Sequence, residues 1–336
     1  MVSILIPAYN AERWIADTIK SALAQTWAKK EIIIVDDGST DRTLSIARQF
    51  ASNAVSVHTQ KNAGAAAARN LALELCQGEF IQWLDADDLL SADKVALQME
   101  EAGRCQGRST LLSSAWGYFM YRLQSADFRP SPLWCDLTPL EWLSRKWEHN
   151  AHMQTATWLV SRELATAAGP WDTRLLGDDD GEYFFRVIKS SDGIRFVPEA
   201  KVYYRITNSS RLSHIGHSDR KKEAQFLGMR TQIDYLRSMQ DDERVRAACV
   251  NYLQTWLGHF YPERPDLVEK AQQLANSLGG NLHPPQLSWK YAWIQKLFGW
   301  NAAKQAQLTY NQCKSSLLRA WDKAMHSFES RAPIET

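Results

Sequence analysis

The chain has 336 residues, 45% hydrophobic and 23% charged, with a net charge of +1. That is the balance of a soluble globular protein, long enough for about two domains and for a core without disulfide or metal staples. It excludes a bulk attraction to nucleic acid, and no apolar run approaches the roughly 20 residues of a membrane span. The start, MVSILIPAYN, lacks a basic leader and reads as a buried strand rather than a signal peptide. Cys76, Cys105, Cys135, Cys249 and Cys313 are odd in number and form no C-x-x-C pair. They fit ordinary thiols in a reducing, cytoplasmic setting. The 14 tryptophans are an excess; most serve as core bulk, although Trp also suits sugar stacking and membrane surfaces.

The first hundred residues alternate strand and helix. Val2–Ile6 predicts a strand, followed by Ile15, Ile19, Ala22 and Leu23 at helical spacing. Ile32–Val35 is a second β-branched run, and the turn from Asp36 to Thr40 leads to a helix with Asp41 near its positive end. Val55–His58, a small-residue helix over Ala65–Cys76, and the strand Phe80–Leu84 follow, with a further helix near Ser91–Glu101. This is the βαβ rhythm of a mostly parallel sheet with helices on both faces. Strands are also predicted at Leu111–Tyr121, Thr155–Val160, Ile194–Val197 and Lys201–Ile206. Between them lie a short helix closed by Gly169-Pro170 and an amphipathic helix carrying Tyr183, Phe184, Val187 and Ile188. Beyond about residue 218 only helical patterns continue, broken near Pro262–Pro265 and Gly279–Pro285.

Ligands of open parallel sheets bind at the carboxyl ends of the strands. The residues there are Pro7-Ala8-Tyr9-Asn10, Asp36-Asp37, then Asn62 and Gly64 with Arg69 beyond, and Asp85-Ala86-Asp87-Asp88. Neither G-x-G-x-x-G nor a P-loop follows the first strand, so the common phosphate cradles are missing. A carboxylate cluster attracts phosphate only through a divalent cation, and Asp85-x-Asp87-Asp88 suits Mg²⁺ or Mn²⁺. The same acids would also cap the turn into the next helix. A second cluster, Asp178-Asp179-Asp180 with Glu182, crowds four carboxylates into five residues, and mutual repulsion predicts at least one raised pKa. Such a group makes a better general base, whereas a plain acidic helix start would be merely solvated.

The strings VSILIPAYNAERWIADTIKSALAQTW, IIIVDDGSTD, NAGAAAARN and IQWLDADDLL, in that order, resemble the nucleotide-sugar half of family-2 glycosyltransferases of the GT-A fold. TWLVSRELATAAGPWDTRLLGDDDGEYFFRV resembles that family's acceptor half, and together they cover residues 1–215. The resemblance implies a glycosyltransferase domain over 1–217, divided near 105, with a helical region over 218–336. It implies a Rossmann-like sheet and inverting transfer of a sugar from a nucleoside diphosphate, UDP foremost, to an acceptor hydroxyl in cell-surface glycan or polysaccharide synthesis.

Position by position, it places Tyr9 near the nucleobase on a loop shaped by Pro7 and Ala8, and Asp37 on the base with Asp36 beside it. Asn62, Gly64 and Arg69 would lie near the nucleotide, and Asp85 and Ala86 on ribose or sugar. Asp87 would hold Mn²⁺ or Mg²⁺, and Asp88 is a second possible ligand. The family's E-D-x-x-x-x-x-R pattern, set on Arg186, makes Asp180 the base and Asp179 its neighbour. The family's Tyr-Arg-x-His reads Tyr204-Arg205-Ile206-Thr207 here. The histidine is missing, with His214 or His217 as substitutes and Arg211 as a diphosphate contact. Acceptor recognition falls near His152–Thr155, Trp158 and Trp171, although both tryptophans also suit a core. A sugar nucleotidyltransferase or a non-catalytic binding protein of the same fold are the alternatives. The first would carry a Gly-rich, Arg-containing loop where Pro7–Asn10 stands. The second predicts a lost base or metal carboxylate.

The expected partners are a nucleotide-sugar donor and a glycan or lipid-linked acceptor, with no nucleic acid. From Asn281 to Thr336, seven basic residues face three acids, a net charge of +4. Trp289, Trp293, Leu297 and Trp300 form one helical stripe. Packing of that stripe on the catalytic domain is the first expectation, and peripheral membrane contact through residues 286–325 is the second.

Overall fold

The computed structural model describes residues 1–105, 109–207 and 218–329. Eight strands form one sheet in the order β3-β2-β1-β4-β7-β6-β8-β5. The first half of that sheet is parallel: β1 (Val2–Ala8) lies between β2 (Lys30–Asp36) and β4 (Phe80–Trp83), and β3 (Val55–Thr59) pairs with the outer side of β2. Its central strands are almost wholly apolar because helices cover them; Ile4, Leu5, Ile6 and Ile32–Val35 are buried, each worth roughly 1.5–3 kcal/mol. The intervening helices are α1 (Ile15–Leu23), α2 (Thr43–Arg48) and α3 (Ala65–Leu75). α3 is built of alanines because it packs close against β1 and β2.

The second half is mixed. β7 (Leu159–Ser161) runs antiparallel to β4 and to β6 (Thr110–Phe119), while β8 (Gly193–Arg205) is parallel to β6 and antiparallel to β5 (Leu89–Leu90). Two predicted elements change here. Thr155–Val160 is not one strand, because Thr155–Thr157 forms a 3₁₀ turn and only Leu159 onward pairs. The two strands expected over 194–206 are one, kinked by a register shift opposite Ser114 and Ala115. α4 (Lys94–Arg104) packs on β6 and β8, and α6 (Arg162–Ala168) on β4 and β7. α5 (Pro139–Glu148) begins with a Thr138–Glu141 capping box, and α7 (Asp179–Ser190) follows α6.

Beyond residue 218 come α8 (Asp219–Met239), α9 (Glu243–Phe260), α10 (Pro265–Ser277) and the long α11 (Ala292–Glu329). The first three are not a separate body. Met229, Ile233, Val245, Leu253 and Phe260 join the same hydrophobic core as the sheet. Trp147 of α5 stacks on Tyr252 of α9 at 4.4 Å.

α11 is held differently, mainly by polar ties. Asp322 accepts from the Tyr121 N–H (2.9 Å), the Arg122 N–H (3.3 Å) and Arg122 Nε (2.7 Å). Losing these bonds costs about 1.5–3 kcal/mol, because the acceptor is charged. Asp322→Ala is expected to raise amide exchange in the last turns of α11 at least tenfold while the melting of the sheet stays unchanged; hydrogen-exchange mass spectrometry reads both.

Candidate active site

Strand ends β1, β2 and β4 open onto a cavity of about 810 Å³, whose far walls are α5, α7 and the segment 152–158. Pro7, Ala8, Tyr9, Asn62, Gly64, Arg69, Asp85, Ala86 and Asp87 all line it, as does Asp37. Tyr9 is 46% exposed at its mouth, a bare ring face beside Asn10 and Trp14. The β2 turn is made by Gly38, at φ +71°, where a Cβ would sit 2.8 Å from the Asn62 backbone N. That close approach excludes a side chain. It lets Asp37 accept from Gln60 Nε2 (2.7 Å), the Ala63 N–H (2.9 Å) and the Gly64 N–H (2.9 Å). A carboxylate has about four acceptor positions, so these three bonds leave about one position of Asp37 unused. Asp36 does not line the cavity. It is buried behind the turn, where Oδ2 accepts from the Ser39 N–H at 3.1 Å, so its expected place beside the base is corrected to turn support.

Arg69 sits at the centre. Its Nη2 donates to Asp85 at 2.9 Å and its Nη1 to Asp179 at 2.6 Å, while its guanidinium lies 4.5 Å over the Trp171 ring. Burial works against the charge, but Asp179 and Asp85 raise the Arg69 pKa further above its ordinary value. Arg69 therefore joins the nucleotide half to the start of α7. Of the two readings of Trp171, acceptor platform or core, the structure shows the core: it is buried beneath Arg69 and stacked on Tyr183 at 4.0 Å. Trp158 borders the cavity but is 1% exposed and stacked on Phe184, so neither offers an open face to a sugar.

The acidic loop after β4 separates into three environments. Asp85 is tied to Arg69, and Asp87 lines the cavity with Thr207 Oγ1 3.5 Å from its Oδ2. Asp88 is fully buried, accepting from the Arg205 N–H at 2.8 Å and from Gln154 Nε2 at 2.6 Å. Asp88 is therefore a structural anchor, and its expectation as a second metal ligand is corrected by that burial. Arg205 completes the anchor: Nε donates to the Asp87 carbonyl at 2.8 Å, and the guanidinium lies 4.5 Å over Trp14 and over Phe119. His214, His217 and Arg211 lie outside the described residues. Among the described residues no group of three His, Cys, Asp or Glu could hold a metal. The donor set fits Mg²⁺ or Mn²⁺ in one way, with Asp87 and Asp85 beside a ligand's phosphates and water, since these ions use few protein carboxylates.

In the second acidic cluster burial, rather than crowding, comes first. It pushes the Asp179 carboxyl up to about 6, with Arg69 pulling down and Asp180 adding to the rise. Burial also raises Asp178, whose Oδ2 accepts from Gln232 Nε2 (2.9 Å) and Tyr252 Oη (3.2 Å). Asp180 is the one whose Oδ2 accepts from a cavity-lining hydroxyl, Thr155 Oγ1 at 3.2 Å, while its Oδ1 accepts from the Gly181 N–H. Arg186, which set the register, pairs with Glu182 at 2.7 Å and reaches the Pro170 carbonyl, bracing α7 against the end of α6. His152 lines the cavity with its pKa lowered by burial, opposed by Asp180. Arg319 is the cavity-lining residue that sequence patterning missed, whereas Gln154, Arg205 and Asp178 lie in stretches it singled out without their partners. The partners of all four lie 54 to 117 residues away along the chain; Arg319 donates to the Thr207 carbonyl at 2.7 Å.

Comparison with known proteins agrees with this geometry. Residues 3–107 match the family described as Glycosyl transferase family 2. Residues 3–107 are thus similar to that family, and the fold of the chain is GT-A with a helical C-terminal region. It is 46% identical over 103 residues to the chondroitin synthase of Escherichia coli, a match covering 30% of this chain and 15% of that protein. It is 42% identical over 100 residues to the Escherichia coli UDP-Glc:alpha-D-GlcNAc-diphosphoundecaprenol beta-1,3-glucosyltransferase WfgD, covering 30% of this chain and 40% of that one. The matched stretch thus spans less than half of either relative. The fold extends further: the crystal structure of S. aureus TarS 1–349 in complex with UDP-GlcNAc superposes with a TM-score of 0.65 at 18% identity, over 82% of this chain and 81% of that one.

Replacing Arg69 leaves Asp179, 4% exposed, without its cation. Arg69→Met is expected to cost about 3–5 kcal/mol in denaturant unfolding, and adding Asp179→Asn should recover part of that loss.

Proposed function

We propose that the protein is an inverting glycosyltransferase that moves a sugar from a UDP-linked donor to an acceptor hydroxyl in cell-surface glycan synthesis. The observation that carries this reading is the single cavity in which Tyr9, Asp37 and Asp87 at the strand ends face Asp180 on α7. Its volume of about 810 Å³ is large enough for a nucleotide sugar with acceptor atoms beside it. The donor assignment is supported by the UDP-GlcNAc complex of TarS and by the UDP-Glc named for WfgD. The diphosphoundecaprenol in the latter's name supports a lipid-linked glycan as acceptor.

In this reading the base stacks on Tyr9 and meets the remaining acceptor position of Asp37. Thr155 donates to Asp180 and fixes its orientation. Asp180 takes the proton from the acceptor hydroxyl as that oxygen bonds to the anomeric carbon. The bond from that carbon to the diphosphate breaks on the opposite side, so one displacement inverts the centre and no carboxylate nucleophile is used. Asp87, with Asp85 alongside, would hold a divalent cation, which when bound neutralises charge on the departing diphosphate. Arg69 keeps Asp85 and the start of α7 in place throughout.

Asp180→Asn preserves shape and is expected to lower transfer roughly 10²-fold or more while UDP binding persists; turnover assays and a UDP thermal-shift titration separate the two effects. Equal loss on Asp179→Asn with a mild Asp180→Asn would move the base by one residue. In the same thermal-shift titration, Mn²⁺ should strengthen UDP stabilisation of the parent and not of Asp87→Ala, because a ligand stabilises according to its affinity. Turnover that survives EDTA undiminished overturns the metal assignment.

A further inference from the structure

The segment from Trp289 to Glu329 turns an apolar surface away from the rest of the protein. α11 is interrupted at Gly299, where φ is +83°. Ahead of that break Trp289, Trp293, Leu297 and Phe298 are 80%, 60%, 68% and 68% exposed, so the predicted packing of this stripe on the catalytic domain does not occur. Only Trp300 of that stripe docks, its Nε1 donating to the Pro285 carbonyl at 3.2 Å. After the break Tyr310, Leu317, Trp321 and Phe328 are exposed, and their spacings of seven, four and seven place them on one helical stripe. The opposite side of the helix faces the protein, through Arg319, Asp322 and His326.

The charges on this segment are mostly positive. Lys290, Lys296, Lys314 and Lys323 are exposed. The two acids among its described residues, Asp322 and Glu329, are both engaged by Arg122. A second copy of the chain docking here would set this positive charge against itself, which is repulsive. An anionic bilayer supplies the opposite charge, and its interface is where Trp and Tyr rings reside. No helix among the described residues is long and apolar enough to cross a membrane.

We propose that this face lies on an anionic lipid surface, with the aromatic rings in the headgroup layer and the positive charge of the segment's exposed lysines drawing it to the headgroups. The proposal stands independently of the chemistry assigned to the cavity. Arg319, on the protein side of the same helix, lines the cavity. Docking would therefore hold the cavity wall one helix diameter, about 10–12 Å, from the lipid.

The test is flotation of the full chain with vesicles of equal parts phosphatidylglycerol and phosphatidylcholine, or of phosphatidylcholine alone, at low salt. Binding is expected to the first and not the second. The combination W293S, L317S and F328S should reduce it at least tenfold, with an unchanged circular-dichroism melt because all three are exposed. Converting the four lysines to Gln should reduce it by up to about 10³-fold. The proposal is overturned if the parent does not float with anionic vesicles, or if the apolar variant floats as well as the parent. It is equally overturned if sedimentation equilibrium shows a dimer that L317S and F328S dissociate, in a protein that does not float.

Discussion

The guanidinium of Arg69 is the joint on which the site is hung. It comes from α3, in the parallel half of the sheet, and grips Asp85 at the end of β4 and Asp179 at the start of α7. Two segments nearly a hundred residues apart are thereby fixed on either side of one cavity. The grip is only as good as its surroundings, because burying the charges of Arg69 and Asp179 is costly unless they are paired. Trp171 beneath the cation and the apolar wall around Tyr183 exclude the water that would loosen it.

Around that joint, identical side chains are given different work by their environments. Asp88 is enclosed and saturated by Arg205 and Gln154, so it holds the loop that presents Asp87. Asp179 is enclosed and paired, so it positions. Asp180 and Asp87 look into open volume and can meet a ligand. Burial and hydrogen-bond saturation separate these roles, whereas amino-acid type does not.

Much of this was legible from the chain alone. The βαβ rhythm through Phe80–Leu84 and the polar residues closing each strand specify the sheet and its ligand-bearing edge, because apolar runs and strand-end turns are local signals. The place of Asp88, and the choice between platform and core for Trp171, were not legible for the opposite reason. Their burial is produced by Gln154, Arg205 and Tyr183, whose arrival depends on tertiary packing that no local pattern encodes. The stripe at Trp289–Trp300 shows the same limit. Periodicity identifies an apolar face and says nothing of whether protein covers it.

Asp178 carries a consequence for how such proteins diversify. Its carboxylate, one residue before α7, is held by Gln232 of α8 and Tyr252 of α9, and Tyr252 in turn lies flat on Trp147. The C-terminal helices are thus not an interchangeable cassette. A chimera that grafts these helices from another protein of this fold would have to carry the Asp178, Gln232 and Tyr252 positions as a matched set. Recombination breakpoints placed between α7 and α8 would otherwise leave Asp178 without these partners two residues before Asp180, the proposed base.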